Sequence, residues 1–151
     1  MPPRCRLPAL LALAFVAAAG CSRPPALAVT DAWVRPLPPG QHMTAGYLRV
    51  RFNGAAGESA RLTGVESPLF GAIELHETRL VDGVNRMRPV AGVTLGAGET
   101  VEFAPGGLHL MLMRPSDTAR GATEIPLVLH FDGRDSVRVQ ALVGQRGPDG
   151  G

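Results

Sequence analysis

The chain has 151 residues with 15 basic and 13 acidic side chains, and every basic residue is arginine. It carries no polybasic run, which excludes a nucleic-acid binder of the ordinary electrostatic kind. The only cysteines, Cys5 and Cys21, lie near the N-terminus, so neither a thiolate metal site nor a disulfide framework is expected in the body of the chain.

The first twenty residues read as an export signal. Arg4 and Arg6 form a positive n-region, "LPALLALAFVAAA" an apolar h-region, and small residues precede Cys21. The apolar run is shorter than the roughly 20 residues of a membrane-spanning helix. "AAAGC" resembles a bacterial lipobox, in which Cys21 is lipidated and becomes the new N-terminus, although Ala18 stands where such boxes usually carry leucine. The alternative is an ordinary signal-peptidase cut after Ala26-Leu27-Ala28, which releases a soluble protein. Both routes place the protein outside the cytoplasm of a bacterium, the first tied to a membrane at Cys21. Loss of residues 1–20 leaves 131 residues with 13 basic against 13 acidic groups. That is one near-neutral domain, large enough to bury on the order of 65–70% of its unfolded surface.

Residues 21–28 are expected to form a Pro-containing tether. Beyond it no helical period is long enough to define a helix, and short alternating runs recur between Gly, Pro, Asn and Asp. In chain order the expected strands are "VTDAWVR", "AGYLRVRFN", "ARLTGVE", "GAIELHETRL", "NRMRPV", "TVEFA", "LHLMLMR", "IPLVLHF" and "SVRVQALV". They predict an all-β, single-domain Greek-key β-sandwich over residues 29–143. Asp82-Gly83 in "LVDGVNRM" signals a hairpin, and "HFDGRDSVRV" a second joining the last two strands. Pro126 points to an edge position or a bulge. Residues 144–151 are expected to be a disordered tail. The expected core comprises Trp33, Leu48, Phe52, Leu62, Val65, Ile73, Leu75, Leu110, Leu112, Leu127, Leu129, Val137 and Val139.

Soft donors are few: beyond the signal, the histidines are His42, His76, His109 and His130, and the methionines Met43, Met87, Met111 and Met113. In "LHLMLM" the period of two sends His109, Met111 and Met113 to one face and Leu108, Leu110 and Leu112 to the other. Imidazole and thioether together suit Cu(I), whereas zinc prefers harder donors or thiolate. A blue-copper electron-transfer site is excluded, because it needs a thiolate. His76 alternates with Glu74 and opposite Leu75, and taken alone reads as a solvent-facing strand histidine. Met87 alone reads as satellite core. Met113 is expected to pack beneath the site. His42 and Met43, being adjacent, point opposite ways and cannot chelate together, and the alternative is that they supply a secondary weak site near "PPGQHM". His130 is expected to be structural or solvated. No Ser-His-Asp pattern, cysteine nucleophile or phosphate-cradling glycine loop is present, so a non-enzymatic role is expected.

His76, Met87, His109 and Met111 together form the pattern H-x10-M-x21-H-x-M. With the blocks "DAWVRPLPPG", "VESPLFGAIELHET", "DGVNRMRPV" and "PGGLHLMLM", the sequence resembles the periplasmic Cu(I) chaperones called PCuAC along most of its mature length. The resemblance implies a cupredoxin-like β-sandwich binding one Cu(I) through His76, Met87, His109 and Met111. It also implies delivery toward the CuA site of cytochrome c oxidase subunit II, or to oxidase assembly alongside Sco-type thiol proteins. The alternative function is an envelope copper scavenger or store without a dedicated acceptor. Some family members carry a His/Met-rich C-terminal tail, and "RGPDGG" has none.

Overall fold

The computed structural model describes residues 25–144, and the expected signal, Cys21 and the last seven residues lie outside that range. The strands are β1 (Leu27–Val34), β2 (Met43–Phe52), β3 (Ser59–Glu66), β4 (Phe70–Val81), β5 (Val84–Pro89), β6 (Val93–Gly96), β7 (Thr100–Phe103), β8 (Leu108–Pro115), β9 (Glu124–Phe131) and β10 (Val137–Val143). One short helix, α1 (Asp117–Gly121), interrupts the series. Among the described residues no helix is long and apolar enough to cross a membrane.

Nine of the ten strands coincide with the expected runs. The tenth, β6, lies in the glycine-rich "VAGVTLGAG", where four residues are too few to show alternation. Leu95, 1% exposed, anchors it opposite Ala60. The helix α1 is likewise too short for a period. Its signal is the cap: Ser116 Oγ accepts from Ala119 N at 3.3 Å, with Asp117 in the first turn and Arg120 in the last.

Hydrogen-bonded neighbours run β5-β4-β8-β2-β1-β10-β9-β3-β6, with β7 also on β2. All pairs are antiparallel except β1 with β10. The long β2 joins the two halves of the structure. Its first half, Met43–Gly46, pairs with β8, and its second, Leu48–Arg51, with β7. A bulge between Thr30 and Trp33, where Asp31 takes φ 53°, bends β1 along the same line. β3 packs against β4 without pairing to it, so the chain closes over one core. At Gly46 a Cβ would lie 2.9 Å from Leu112 Cδ1, so glycine lets β2 close over that core.

Leu48, Phe52, Leu62, Val65, Leu75, Leu110, Leu112, Leu127 and Leu129 are buried as expected, while Ile73, Val137 and Val139 pack against the core from its margin. Trp33 is buried but on the opposite face. Register pairs it with Tyr47, their ring centroids are 4.5 Å apart, and the neighbouring Val34 takes the place in the core. Alternation decides this: Leu48 faces the core, so Tyr47 and its partner cannot.

Three boundaries move or resolve. β1 starts at Leu27, inside the expected tether. Leu27 is in the core opposite Phe52, and Asn53 N donates to Ala26 O at 2.7 Å. Gly144, the first residue of the expected tail, donates to Val34 O at 3.0 Å. Pro126 pairs with Gln140 on β10 but lies beyond the stretch of β9 that pairs with β3, a local edge where a missing N–H costs nothing. Both expected hairpins form, and Asp82 and Gly83 take φ 53° and 75°, the pair of positive values a type I′ turn requires.

Leu112 is fully buried between β4 and β2. Leu112→Ala is expected to lower unfolding free energy by about 2–5 kcal/mol in urea denaturation. A change below about 1 kcal/mol would mean the core does not run beneath β8.

Candidate metal centre

The site is built on the strip β5-β4-β8. Its register is set from the reverse side, where Leu75 faces Leu110 and Ile73 faces Leu112 toward the core. A slip of one residue would turn these leucines to water and drive imidazoles into the core. With the slip forbidden, His76 lies directly opposite His109.

Paired residues share a face, and so do alternate residues of one strand. Glu74 pairs with Met111, His76 with His109 and with Pro89, and Thr78 with Met87. His76, Met87, His109 and Met111 therefore all stand on one face of three adjacent strands. The imidazole centroids are 5.9 Å apart with planes tilted 47°.

Each ring is oriented by one hydrogen bond. His109 Nδ1 lies 3.0 Å from Gly107 O, which also accepts from Thr78 N at 3.1 Å. A carbonyl only accepts, so His109 Nδ1 carries the proton and Nε2 a free lone pair. His76 Nε2 lies 2.9 Å from Glu74 Oε2. The carboxylate accepts from Nε2–H and leaves the lone pair on Nδ1. Both free nitrogens, His76 Nδ1 and His109 Nε2, are buried without a partner. Leaving such atoms bare costs about 1–3 kcal/mol each. A metal bound to both removes that cost, and ring N–H groups tied to a carboxylate and a carbonyl are the usual supports of ligating histidines.

The rings are mostly buried, although His76 taken alone reads from sequence as solvent-facing. His109 is 5% exposed and the His76 side chain 13%. Openness comes from sulfur instead, with Met87 55% exposed and Met111 partly so. Among the described residues no group of three or more His, Cys, Asp or Glu is placed to hold a metal. Imidazole nitrogen together with thioether sulfur is a donor set that fits Cu(I) and not zinc.

The other soft donors stand outside this set. His130, on β9, has Nδ1 2.9 Å from Ser136 Oγ and Nε2 3.2 Å from a Glu66 carboxylate oxygen. That second contact is an ion-pair distance without hydrogen-bond alignment, since Nε2 makes no hydrogen bond. His42 precedes β2 and offers its carbonyl to Arg114 N. Met113 shares the face of Met111, opposite Met43 and Ala72. The carbonyl of Gly107 is the contributor that sequence reasoning missed, and nothing in a glycine's identity announces it.

A family model described as "Putative lipoprotein LpqE-like" matches residues 27–143. The chain belongs to the LpqE-like family. A putative lipoprotein of Leifsonia xyli subsp. xyli is 34% identical over 110 residues, 72% of this chain and 64% of that protein. A protein of Rickettsia prowazekii is 32% identical over 92 residues, 60% of this chain and 51% of its own length. The chain thus spans between half and two thirds of these relatives. Among solved structures, the copper-bound PCuAC domain from PmoF2 superposes with a TM-score of 0.63 at 23% identity, covering 79% of this chain and 92% of that domain. Apo-DR1885 from Deinococcus radiodurans gives 0.58 at 24% identity over 97% and 95%. This LpqE-like chain accordingly has the cupredoxin-like fold of PCuAC domains, as its sequence resemblance implies.

The hydrogen bonds set opposite tautomers in the two rings. Long-range proton–nitrogen correlation spectra of the metal-free protein at mildly alkaline pH are expected to show His109 protonated on Nδ1 and His76 on Nε2. The reverse assignment in either ring would turn its lone pair away from the shared centre.

Proposed function

We propose that this LpqE-like protein is a non-enzymatic Cu(I) carrier of the bacterial envelope, in which His76, Met87, His109 and Met111 hold one Cu(I). The observation that carries the reading is the pair of buried, unpartnered nitrogens on facing imidazoles, with two thioethers on the same face. The copper-bound state of the PmoF2 domain, on the same fold, supports it.

Transfer follows from ligand chemistry. Thioethers are neutral and moderate donors, whereas an acceptor's thiolates are anionic and bind Cu(I) more strongly. Exchange therefore runs toward a cysteine-bearing partner, with no nucleotide and no electron transfer by this protein. Met87, the most exposed of the four, is the ligand an incoming thiolate displaces first. The acceptors proposed are the CuA site of cytochrome c oxidase subunit II and Sco-type thiol proteins. An envelope scavenger would use the same four residues but would have no such acceptor.

Lipidation at Cys21 is the processing route the fold favours. A cut after Ala28 would remove Leu27 from the core, and with it the Leu27–Phe52 and Ala28–Arg51 pairs that start β1. A cut before Cys21 leaves β1 whole.

X-ray absorption on the copper-loaded protein is expected to count nitrogen and sulfur neighbours in equal numbers. In competition with a Cu(I) chelator, Met111→Leu is expected to weaken binding at least about tenfold, and Glu74→Ala by roughly 10–100-fold through loss of ring support. Unchanged affinity in both variants would place the ion elsewhere. Mixed with apo subunit II or a reduced Sco-type protein, the loaded protein is expected to give up its copper. Retention against both acceptors would favour the scavenger.

A further inference from the structure

Two methionines stand outside the four-residue set yet on the same face. Met43 opens β2 and is directly paired with Met113 on β8, and the next pair inward on that face is Ala45 with Met111. Direct cross-strand partners hold their Cβ atoms about 4.5–5.5 Å apart, and alternate residues of one strand follow about 6–7 Å further on. Methionine has three rotatable side-chain bonds, so two thioethers on such a pair readily converge. The ladder end is held by the Arg114 N–H donating to His42 O at 3.0 Å, so Met43 is not a fraying terminus.

The surroundings suit a bound ion. Ala72 flanks Met113 on β4 and Ala45 flanks Met111 on β2, so each of these methionines has one small neighbour on this face. Exposure falls along the row: Met43 is 51% exposed, Met113 and Met111 are partly buried, and His109 is 5% exposed. An exposed methionine at a strand start contributes little to the core, so packing does not account for Met43.

We infer that Met43 and Met113 together bind a second soft monovalent cation, of the Cu(I) and Ag(I) class, beside the four-residue site. Two neutral thioethers, with solvent completing the shell, make it weaker than a site with two imidazoles. Binding forms metal–sulfur bonds and displaces water, and nothing is oxidised or reduced. An ion held there is one cross-strand pair away from Met111. The inference does not depend on the four-residue reading, because neither thioether belongs to it.

The test is a titration of the protein, carbon-13 labelled at the methionine methyls, with Ag(I), a redox-stable ion of the same class. The Met43 and Met113 methyls are expected to shift together with one midpoint, at a later equivalent than Met87 and Met111. Met43→Leu/Met113→Leu, near-isosteric at accessible positions, is expected to lower bound Ag(I) from about two equivalents to about one while the earlier shifts persist. In His76→Ala/His109→Ala the Met43 and Met113 shifts are expected to remain, whatever becomes of Met87 and Met111. If the two methyls stay unmoved through several equivalents, or move with separate midpoints, there is no shared site. Unchanged stoichiometry in the double leucine variant would overturn the inference equally.

Discussion

The centre depends on one constraint, the register of β8 against β4. It is enforced by apolar packing on the side away from the imidazoles, where Leu75, Leu110 and Leu112 are buried. Moving either strand by one residue would expose those side chains, at about 1.5–3 kcal/mol each. No interaction between the histidines themselves approaches that cost, and in the metal-free protein they leave two nitrogens bare. The hydrophobic effect therefore positions the facing imidazoles.

The rings are buried and oriented by Glu74 and Gly107, while the sulfurs lie nearer to solvent. Under the proposed function, the oriented nitrogens hold the ion and the accessible thioethers exchange it. The body of the chain, residues 25–144, has no cysteine, so in an oxidising compartment it cannot be inactivated by disulfide formation. Methionine supplies soft-metal affinity without that liability, though its sulfur can still be oxidised to sulfoxide.

The hairpin carrying Met87 needs its own support, because all of β5 is exposed. On the reverse face Glu77 lies 2.8 Å from Arg79 Nε and 3.4 Å from Arg88 Nη2, joining β4 to β5. The hydrogen bond from Arg79, against an opposing effect of partial burial and with help from Arg88, holds the Glu77 carboxyl below its ordinary value. That group thus stays ionised through mild acidification, and the two-residue turn at Asp82-Gly83 closes the far end. Met87 is kept on the face of the imidazoles while staying 55% exposed.

Alternation in "LHLMLM" and "IELHET" was enough to put His109 with Met111 and His76 with Glu74, because side-chain direction in a strand is a local property. The hairpin at Asp82-Gly83 was equally legible, since a type I′ turn demands particular residues at two adjacent positions. The four-residue spacing pointed to the site only as a resemblance, because no local rule says which strands become neighbours. Tertiary structure alone decided that β4 lies beside β8, that Trp33 packs with Tyr47 away from the core, and that β1 begins at Leu27. It alone supplied the Gly107 carbonyl that fixes the His109 tautomer and the burial of both rings. Contacts between residues distant in the chain depend on how apolar faces close over one another, and that closure belongs to the whole domain.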